Sequence, residues 1–247
     1  MDLLRSAAGI FSRRSRRAKV EWLDRRLEAG SSVLVLGISA GQRYGVENVI
    51  ERALVERYDV TGLVYEEPDG HPLPGATVVR GDARGLPFAD RSFDYVVSNA
   101  VIEHVGGREG ARELLEESRR VARVATFHTT PDRAFPVETH TLVPCLHWVP
   151  RRWQEQVFAR VGKQFPTERY WLFTRRELRG LAGNHLVERL TSMTLVTSWW
   201  RDGAARPAAA TATGIGADAS RAGAIDLTAV DGAPRAHVGN GHSAHRR

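Results

Sequence analysis

Cysteine, lysine and long apolar stretches are nearly missing from this sequence of 247 residues. Cys145 is the single cysteine, which excludes an internal disulfide and a metal site built from several cysteines. No apolar stretch approaches the roughly 18 residues that a membrane-spanning helix requires. Near the N-terminus the basic residues follow the short apolar stretch, whereas a secretory signal has them first. We therefore expect a cytoplasmic protein.

The basic residues outnumber the acidic ones, but almost all of them are arginine. The chain has 35 basic and 29 acidic residues, a formal net charge of +6, and only Lys19 and Lys163 are lysines. A specific nucleic-acid binder should show a basic stripe on one element. The excess is modest and spread out, so we do not expect nucleic acid as a partner.

Short apolar runs alternate with segments of helical periodicity along the first 200 residues. The runs predict strands at 33–36, 60–65, 77–80, 93–98 and 124–128, with two closing strands within 185–199. Predicted helices lie at 46–58, 109–120 and 151–161, and Thr174 and Glu177 have the spacing of a helix capping box. Alternating strands and helices indicate an α/β fold with a mostly parallel, doubly wound sheet.

The composition divides the chain into three parts. Residues 1–29 form a basic leader and an N-terminal helix, and residues 30–202 form the main domain. Within that domain, residues 131–173 are rich in proline, histidine and aromatics and form an insertion on the substrate side. Residues 203–247 lack large apolar side chains, which predicts a disordered tail.

The leader allows two interpretations. Its apolar residues Leu3, Leu4, Ile10 and Phe11 precede a basic cluster over 13–19, which is the composition of a segment that lies on a membrane surface. Residues 1–19 would then give the protein peripheral membrane contact. The alternative is a frayed, solvated terminus.

A glycine-containing turn follows the first predicted strand. Gly37, Ile38, Ser39 and Gly41 lie between this strand and the next helix. Glycines there let a ligand approach the backbone closely, which favours a nucleotide or nucleoside cofactor site, although an ordinary tight turn has the same composition. The three-glycine dinucleotide fingerprint is absent, which argues against a nicotinamide dehydrogenase.

Residues 81–105 carry the most specific pattern, GDARGLPFADRSFDYVVSNAVIEHV. This stretch resembles the class I S-adenosylmethionine-dependent methyltransferases, in the branch with a GDA-x-x-LPF-x-D-x-SFD signature. The resemblance covers about residues 30–200 and implies a Rossmann-like, doubly wound, mostly parallel sheet of seven strands with helices on both faces. It implies S-adenosylmethionine as the cofactor. Val35, Ser39 and Val64 depart from the family's usual residues.

The resemblance also implies roles for particular residues. Asp82 and Ala83 would hold adenine, Asn99 would contact the cofactor, and Glu66 is the candidate for the ribose hydroxyls. His104 follows the fourth strand and His128 ends the fifth. Both are candidate general bases. We expect no metal in the site.

The predicted function is methyl transfer from S-adenosylmethionine to a small-molecule, sugar or lipid-linked acceptor. Two alternatives remain open. A non-catalytic methyltransferase-like binding protein would explain Val35, Ser39 and Val64, and an RNA methyltransferase would explain the arginine excess. The sequence gives no prediction of the oligomeric state.

Deleting residues 203–247 should leave the thermal midpoint of unfolding nearly unchanged. A segment without large apolar side chains buries too little surface to offset its ordering entropy. Calorimetry of the full chain and of residues 1–202 measures this directly. A clearly lower midpoint in the shortened chain would show that the tail packs on the domain.

Overall fold

The computed structural model describes residues 14–38, 49–65, 74–137, 145–160 and 170–204. These residues contain one sheet of seven strands. The strands are β1 (Ser32–Leu36), β2 (Asp59–Val64), β3 (Thr77–Arg80), β4 (Phe93–Asn99), β5 (Ala122–Pro131), β6 (Leu186–Thr191) and β7 (Thr194–Trp200). The helices are α1 (14–24), α2 (Val49–Val55), α3 (Gly107–Val121), α4 (Arg151–Arg160) and α5 (Arg175–Leu181).

The strands lie in the order β3-β2-β1-β4-β5-β7-β6. The pairs from β3 to β5 are parallel, whereas β7 is antiparallel to both β5 and β6. The predicted Rossmann-like, mostly parallel sheet of seven strands is confirmed. Its central strand β1 is buried on both faces, as its continuous apolar sequence predicts.

Strand β5 is longer than the sequence predicts. The expected end at His128 is wrong, because Thr129, Thr130 and Pro131 continue the strand. These residues pair with β7 in antiparallel register, Thr129 opposite Val196 and Thr130 opposite Leu195. His128 therefore lies within the strand and not at its carboxyl end.

An aromatic cluster around Phe127 joins α1 to the sheet. Phe127 is fully buried, and its ring centroid lies 5.3 Å from that of Trp22, 5.4 Å from Trp200 and 6.1 Å from Tyr95. Edge-to-face and stacked pairs at such distances add to the free energy of apolar burial. The helix within the predicted leader thus packs on the core of the domain.

Helix α1, which carries part of the predicted basic cluster, is hydrogen-bonded to the domain. Ser15 and Thr194 share a buried hydrogen bond of 3.2 Å, whereas Arg17 pairs within the helix and donates to Glu21 at 2.8 Å. Residues 1–13 lie outside the described residues, so membrane contact through residues 1–19 stays a prediction. Among the described residues, no helix has the length and apolar character needed to cross a bilayer.

Helix α5 begins with the predicted capping box. The Thr174 hydroxyl oxygen accepts from the backbone N–H of Glu177 at 3.2 Å, and a Glu177 carboxylate oxygen accepts from the backbone N–H of Thr174 at 2.9 Å. This reciprocal pair satisfies two backbone donors that the helix itself cannot bind. The prediction for these residues is confirmed.

Replacing Phe127 with alanine should lower the free energy of unfolding by about 3–5 kcal/mol, because it empties the centre of the aromatic cluster. Denaturant unfolding measures the difference. Leu186→Ala is the matched control: Leu186 lies on β6 and is 53% exposed, so its truncation should cost less than about 0.5 kcal/mol. Equal costs for the two variants would contradict the prediction.

Candidate functional site

The strand order reverses between β1 and β4. The chain leaves β1 toward β2 and leaves β4 toward β5, and these neighbours lie on opposite sides of the central pair. The connections after β1 and β4 therefore diverge at the carboxyl edge of the sheet. In open α/β sheets a crevice at this switch point is where ligands bind.

Gly37 forms the turn directly after β1. Its φ angle is +72°, and a Cβ atom at this position would lie 2.6 Å from Cγ2 of Val101. Any side chain here would be strained and would collide with the segment that follows β4. Gly37 and Ile38 both donate backbone N–H groups to the carbonyl of Leu63, at 2.9 and 3.2 Å.

Ile38 packs into the core. The residue is 6% exposed, and a Cβ atom at Gly62 would lie 2.6 Å from its Cγ2. Ile38 therefore fixes the turn by packing on β2, while its backbone lies at the switch point. The other two predicted residues of this turn, Ser39 and Gly41, lie outside the described residues, as does Glu66 after β2.

Asp82 follows β3 and forms a tight turn with Arg84. Its Oδ1 accepts from the Arg84 backbone N–H at 2.9 Å, and its Oδ2 accepts from Nη2 at 2.6 Å. These contacts hold the carboxylate in place. Ala83 is buried beside it in the core cluster. The predicted adenine contacts of both residues stay predictions, and an adenine amino group would share Asp82 with Arg84.

Two residues of α3 that the sequence analysis missed hold the segment 86–90. Glu117 accepts from the backbone N–H of Leu86 at 2.8 Å, and Arg120 donates to the carbonyls of Leu86 at 3.0 Å and Phe88 at 2.8 Å. Arg120 also pairs with Asp90 at 2.8 Å. Hydrogen bonds from Arg120 lower the pKa of Glu117 and keep it charged. The backbone of residues 86–90 is thus fixed in position.

Asn99 ends β4 at the switch point. Its Oδ1 accepts from the Thr129 hydroxyl at 3.0 Å and from Nζ of Lys19, on α1, at 2.8 Å. Lys19 was not among the predicted site residues. The sequence feature that could have indicated it is the residue type, since Lys19 is one of two lysines in a chain whose other basic residues are arginines.

Glu103 and His104 lie in a short 3-10 helix, Ile102–His104, after β4. Glu103 is fully buried; its carboxylate accepts from the Thr130 hydroxyl at 2.9 Å, and its carbonyl accepts from the Trp171 N–H at 2.8 Å. His104 is exposed, and its ring centroid lies 5.1 Å from that of Tyr170. Glu103 therefore ties this turn to β5, while His104 stays on the surface as a predicted base.

His128 is fully buried between neighbouring strands. Its Nδ1 lies 2.9 Å from the Ser98 hydroxyl, and its ring centroid lies 6.5 Å from that of His185. Burial, with the nearby His185 charge second, lowers the pKa of His128 to about 3. The imidazole is neutral at physiological pH. Its predicted role as a general base stays a prediction.

Part of the chain is similar to a known protein family. Residues 53–126 match the family described as a methyltransferase domain. The match runs from α2 into β5, and so includes the Asp82 turn, β4 and Glu103. The match does not reach Gly37, Ile38 or His128.

Known proteins with this domain share parts of the sequence and the fold. A proposed methyltransferase of Encephalitozoon cuniculi is 44% identical over 55 residues, which cover 22% of this chain and 26% of that protein. The chain thus spans about a quarter of this relative. A proposed methyltransferase of Haloferax volcanii, solved in complex with a methyltransferase activator, has a TM-score of 0.50 at 16% identity over 78% of this chain and 92% of its own.

A further solved structure, an S-adenosylmethionine-dependent methyltransferase of Methanosarcina mazei, has a TM-score of 0.46 at 15% identity, covering 71% of this chain and 94% of that one. At 16% identity, the likeness to the Haloferax volcanii structure shows a shared fold alone.

Replacing His128 with glutamine should reduce the fall in the free energy of unfolding as the pH is lowered. The unfolded chain binds a proton on this histidine below about pH 6.5, whereas the folded imidazole stays neutral until about pH 3. The stability contribution is therefore full above about pH 6.5 and declines as the pH falls. The wild type should lose about 1.4 kcal/mol per pH unit more than the variant between about pH 6 and 4.

Denaturant unfolding at several pH values gives both curves. His185→Gln should act in the same direction, because burial lowers the pKa of His185 to about 4. Parallel curves for the wild type and His128→Gln would contradict the prediction, because folding would then leave the pKa of this imidazole unchanged.

Proposed function

We propose that this chain is an S-adenosylmethionine-dependent methyltransferase that acts on a small-molecule, sugar or lipid-linked acceptor. The observation that carries the proposal is the Gly37 turn at the switch point of a sheet whose residues 53–126 match a methyltransferase domain. The match to the finer signature over residues 81–105 supports the branch named above.

The described residues fit the cofactor. The missing side chain of Gly37 allows a tight turn after β1 that packs against Val101, Leu86 and Phe88 would provide apolar walls, and Asp82 and Ala83 would provide an acceptor and a donor for adenine. The cofactor supplies a methyl group that is already activated by the positive charge on sulfur. The protein's task is then to align the acceptor and to exclude water.

The segment after β5 is the proposed acceptor side. Four of the six large apolar side chains that are exposed among the described residues lie within residues 145–171, and they are Trp148, Val149, Trp153 and Trp171. Clustered exposed apolar side chains mark ligand or membrane contacts. The Trp148 indole donates to the carbonyl of Arg133 at 2.6 Å, which fixes one of these rings.

A non-catalytic binding protein is the second candidate. Val35 and Val64 are buried in β1 and β2, and the Asp82 carboxylate is already bound by Arg84. These features reduce the polar contacts available to a cofactor. Binding measurements separate the two candidates, because the second would bind the cofactor poorly.

S-adenosylhomocysteine should bind with micromolar affinity, which corresponds to about −8 kcal/mol. Gly37→Ala should weaken binding at least about tenfold, because its methyl group would displace Val101 and strain the turn. Gly180→Ala is the matched control, since a Cβ atom there meets nothing within 4 Å. Titration calorimetry of the three proteins measures the affinities.

Asp82→Ala should weaken binding by roughly 1–3 kcal/mol, the cost of leaving buried polar groups unpaired. Absence of heat with S-adenosylhomocysteine at high protein concentration would favour the non-catalytic candidate. Tight binding of NADH in the same assay would instead indicate a dehydrogenase.

A further inference from the structure

Helix α1 carries a lysine to the switch point of the sheet. Lys19 Nζ donates to Asn99 Oδ1 at 2.8 Å, across 80 positions of sequence. Asn99 is fixed in turn by the Thr129 hydroxyl at 3.0 Å. The amine is thereby held at the end of β4, where Asn99 is paired with Thr129 of β5.

The use of lysine at this position is unusual for this chain. Of its 35 basic residues, only Lys19 and Lys163 are lysines. Arginine provides a cation at nearly every other position, including Arg16 and Arg17 on the same helix. The two residues differ chemically in one decisive respect, because a buried lysine can lose its proton near neutral pH and an arginine cannot.

Charges from three elements face the Lys19 amine. Glu103 from the turn after β4 and Glu51 from α2 favour the ammonium form, whereas Arg16 from α1 opposes it. Burial outweighs the two carboxylates and lowers the pKa of Lys19 to about 8. Burial also raises the pKa of Glu51, which weakens its support of the ammonium.

We propose that Lys19 lines the methyl-transfer site and is the general base of the reaction. This inference rests on the proposed function. The acceptor's oxygen or nitrogen forms a bond to the methyl carbon, and the electron pair of the carbon–sulfur bond goes to sulfur, leaving a neutral thioether. The proton of the acceptor's O–H or N–H group goes to the lone pair of the Lys19 amine, which becomes an ammonium.

The positive sulfonium favours this role. A cation close to Lys19 disfavours its ammonium form, and so the amine becomes a base nearer to neutral pH when the cofactor is bound. After transfer the sulfur is neutral, and the ammonium is again tolerated beside Glu103. Asn99 positions the amine by accepting one of its N–H groups.

The experiment is a pH titration of the full chain with isotopically labelled lysine, followed by nuclear magnetic resonance. Only two lysine side-chain signals exist, and Lys163→Arg assigns them. Lys163 lies outside the described residues and serves as the reference signal. The signals are followed from about pH 6 to about pH 11 in the free protein, with S-adenosylhomocysteine and with S-adenosylmethionine.

We expect the Lys19 signal to titrate near pH 8 in the free protein. Its midpoint should be lower by about one pH unit with S-adenosylmethionine than with S-adenosylhomocysteine, because these ligands differ by one positive charge at the reacting sulfur. This comparison reports the distance of the amine from the reaction centre and needs no methyl acceptor.

A Lys19 midpoint above about pH 10 in the S-adenosylmethionine complex would overturn the proposal, because the side chain would then stay an ammonium. Equal midpoints with the two ligands, both shown by calorimetry to be bound, would also overturn it by placing the amine away from sulfur. Failure of both ligands to bind would instead refute the proposed function itself.

Discussion

The parallel pairing of β1 with β4 is the constraint on which the other features of this domain depend. Leu34 and Val96 face each other in this pair, and both are fully buried. Because β2 and β5 lie on opposite sides of this pair, the chain leaves the carboxyl ends of β1 and β4 in opposite directions. The opening between these departures receives Gly37 from one strand and Asn99 from the other.

Helix α1 is attached to this opening at two points of different chemistry. Trp22 packs on Phe127 in the core, and Lys19 binds Asn99 at the edge of the sheet. Trp22 is buried, so its apolar contact helps to set the orientation of the helix. The hydrogen bond from Lys19 to Asn99 depends on this orientation. The position of Lys19 is therefore linked to the packing of Trp22, three residues further along the helix.

The central strands were predictable from sequence because they are buried on both faces. Their apolar runs gave β1, β2 and β4 to within one residue at each end. The end of β5 was not predictable, because Thr129 and Thr130 are polar and yet buried against β7, a partner about 65 positions away.

The site was predictable only where its contacts are local. The Gly37 turn and the segment around Asp82 are recognisable as motifs, but the bond from Arg84 to Asp82 depends on a side-chain conformation that no spacing encodes. Lys19 and Asn99 are brought together by tertiary packing. No periodicity within α1 indicates that its single lysine points inward.

The fixation of residues 86–90 by α3 has a thermodynamic consequence. Glu117 and Arg120 bind the backbone of this segment through three hydrogen bonds and hold Asp90 as well. A ligand that contacts Leu86 or Phe88 meets a surface whose conformational entropy has already been lost in folding. Binding there would incur little ordering cost, so a flat, rigid ring that bound at this segment would meet a preorganised surface.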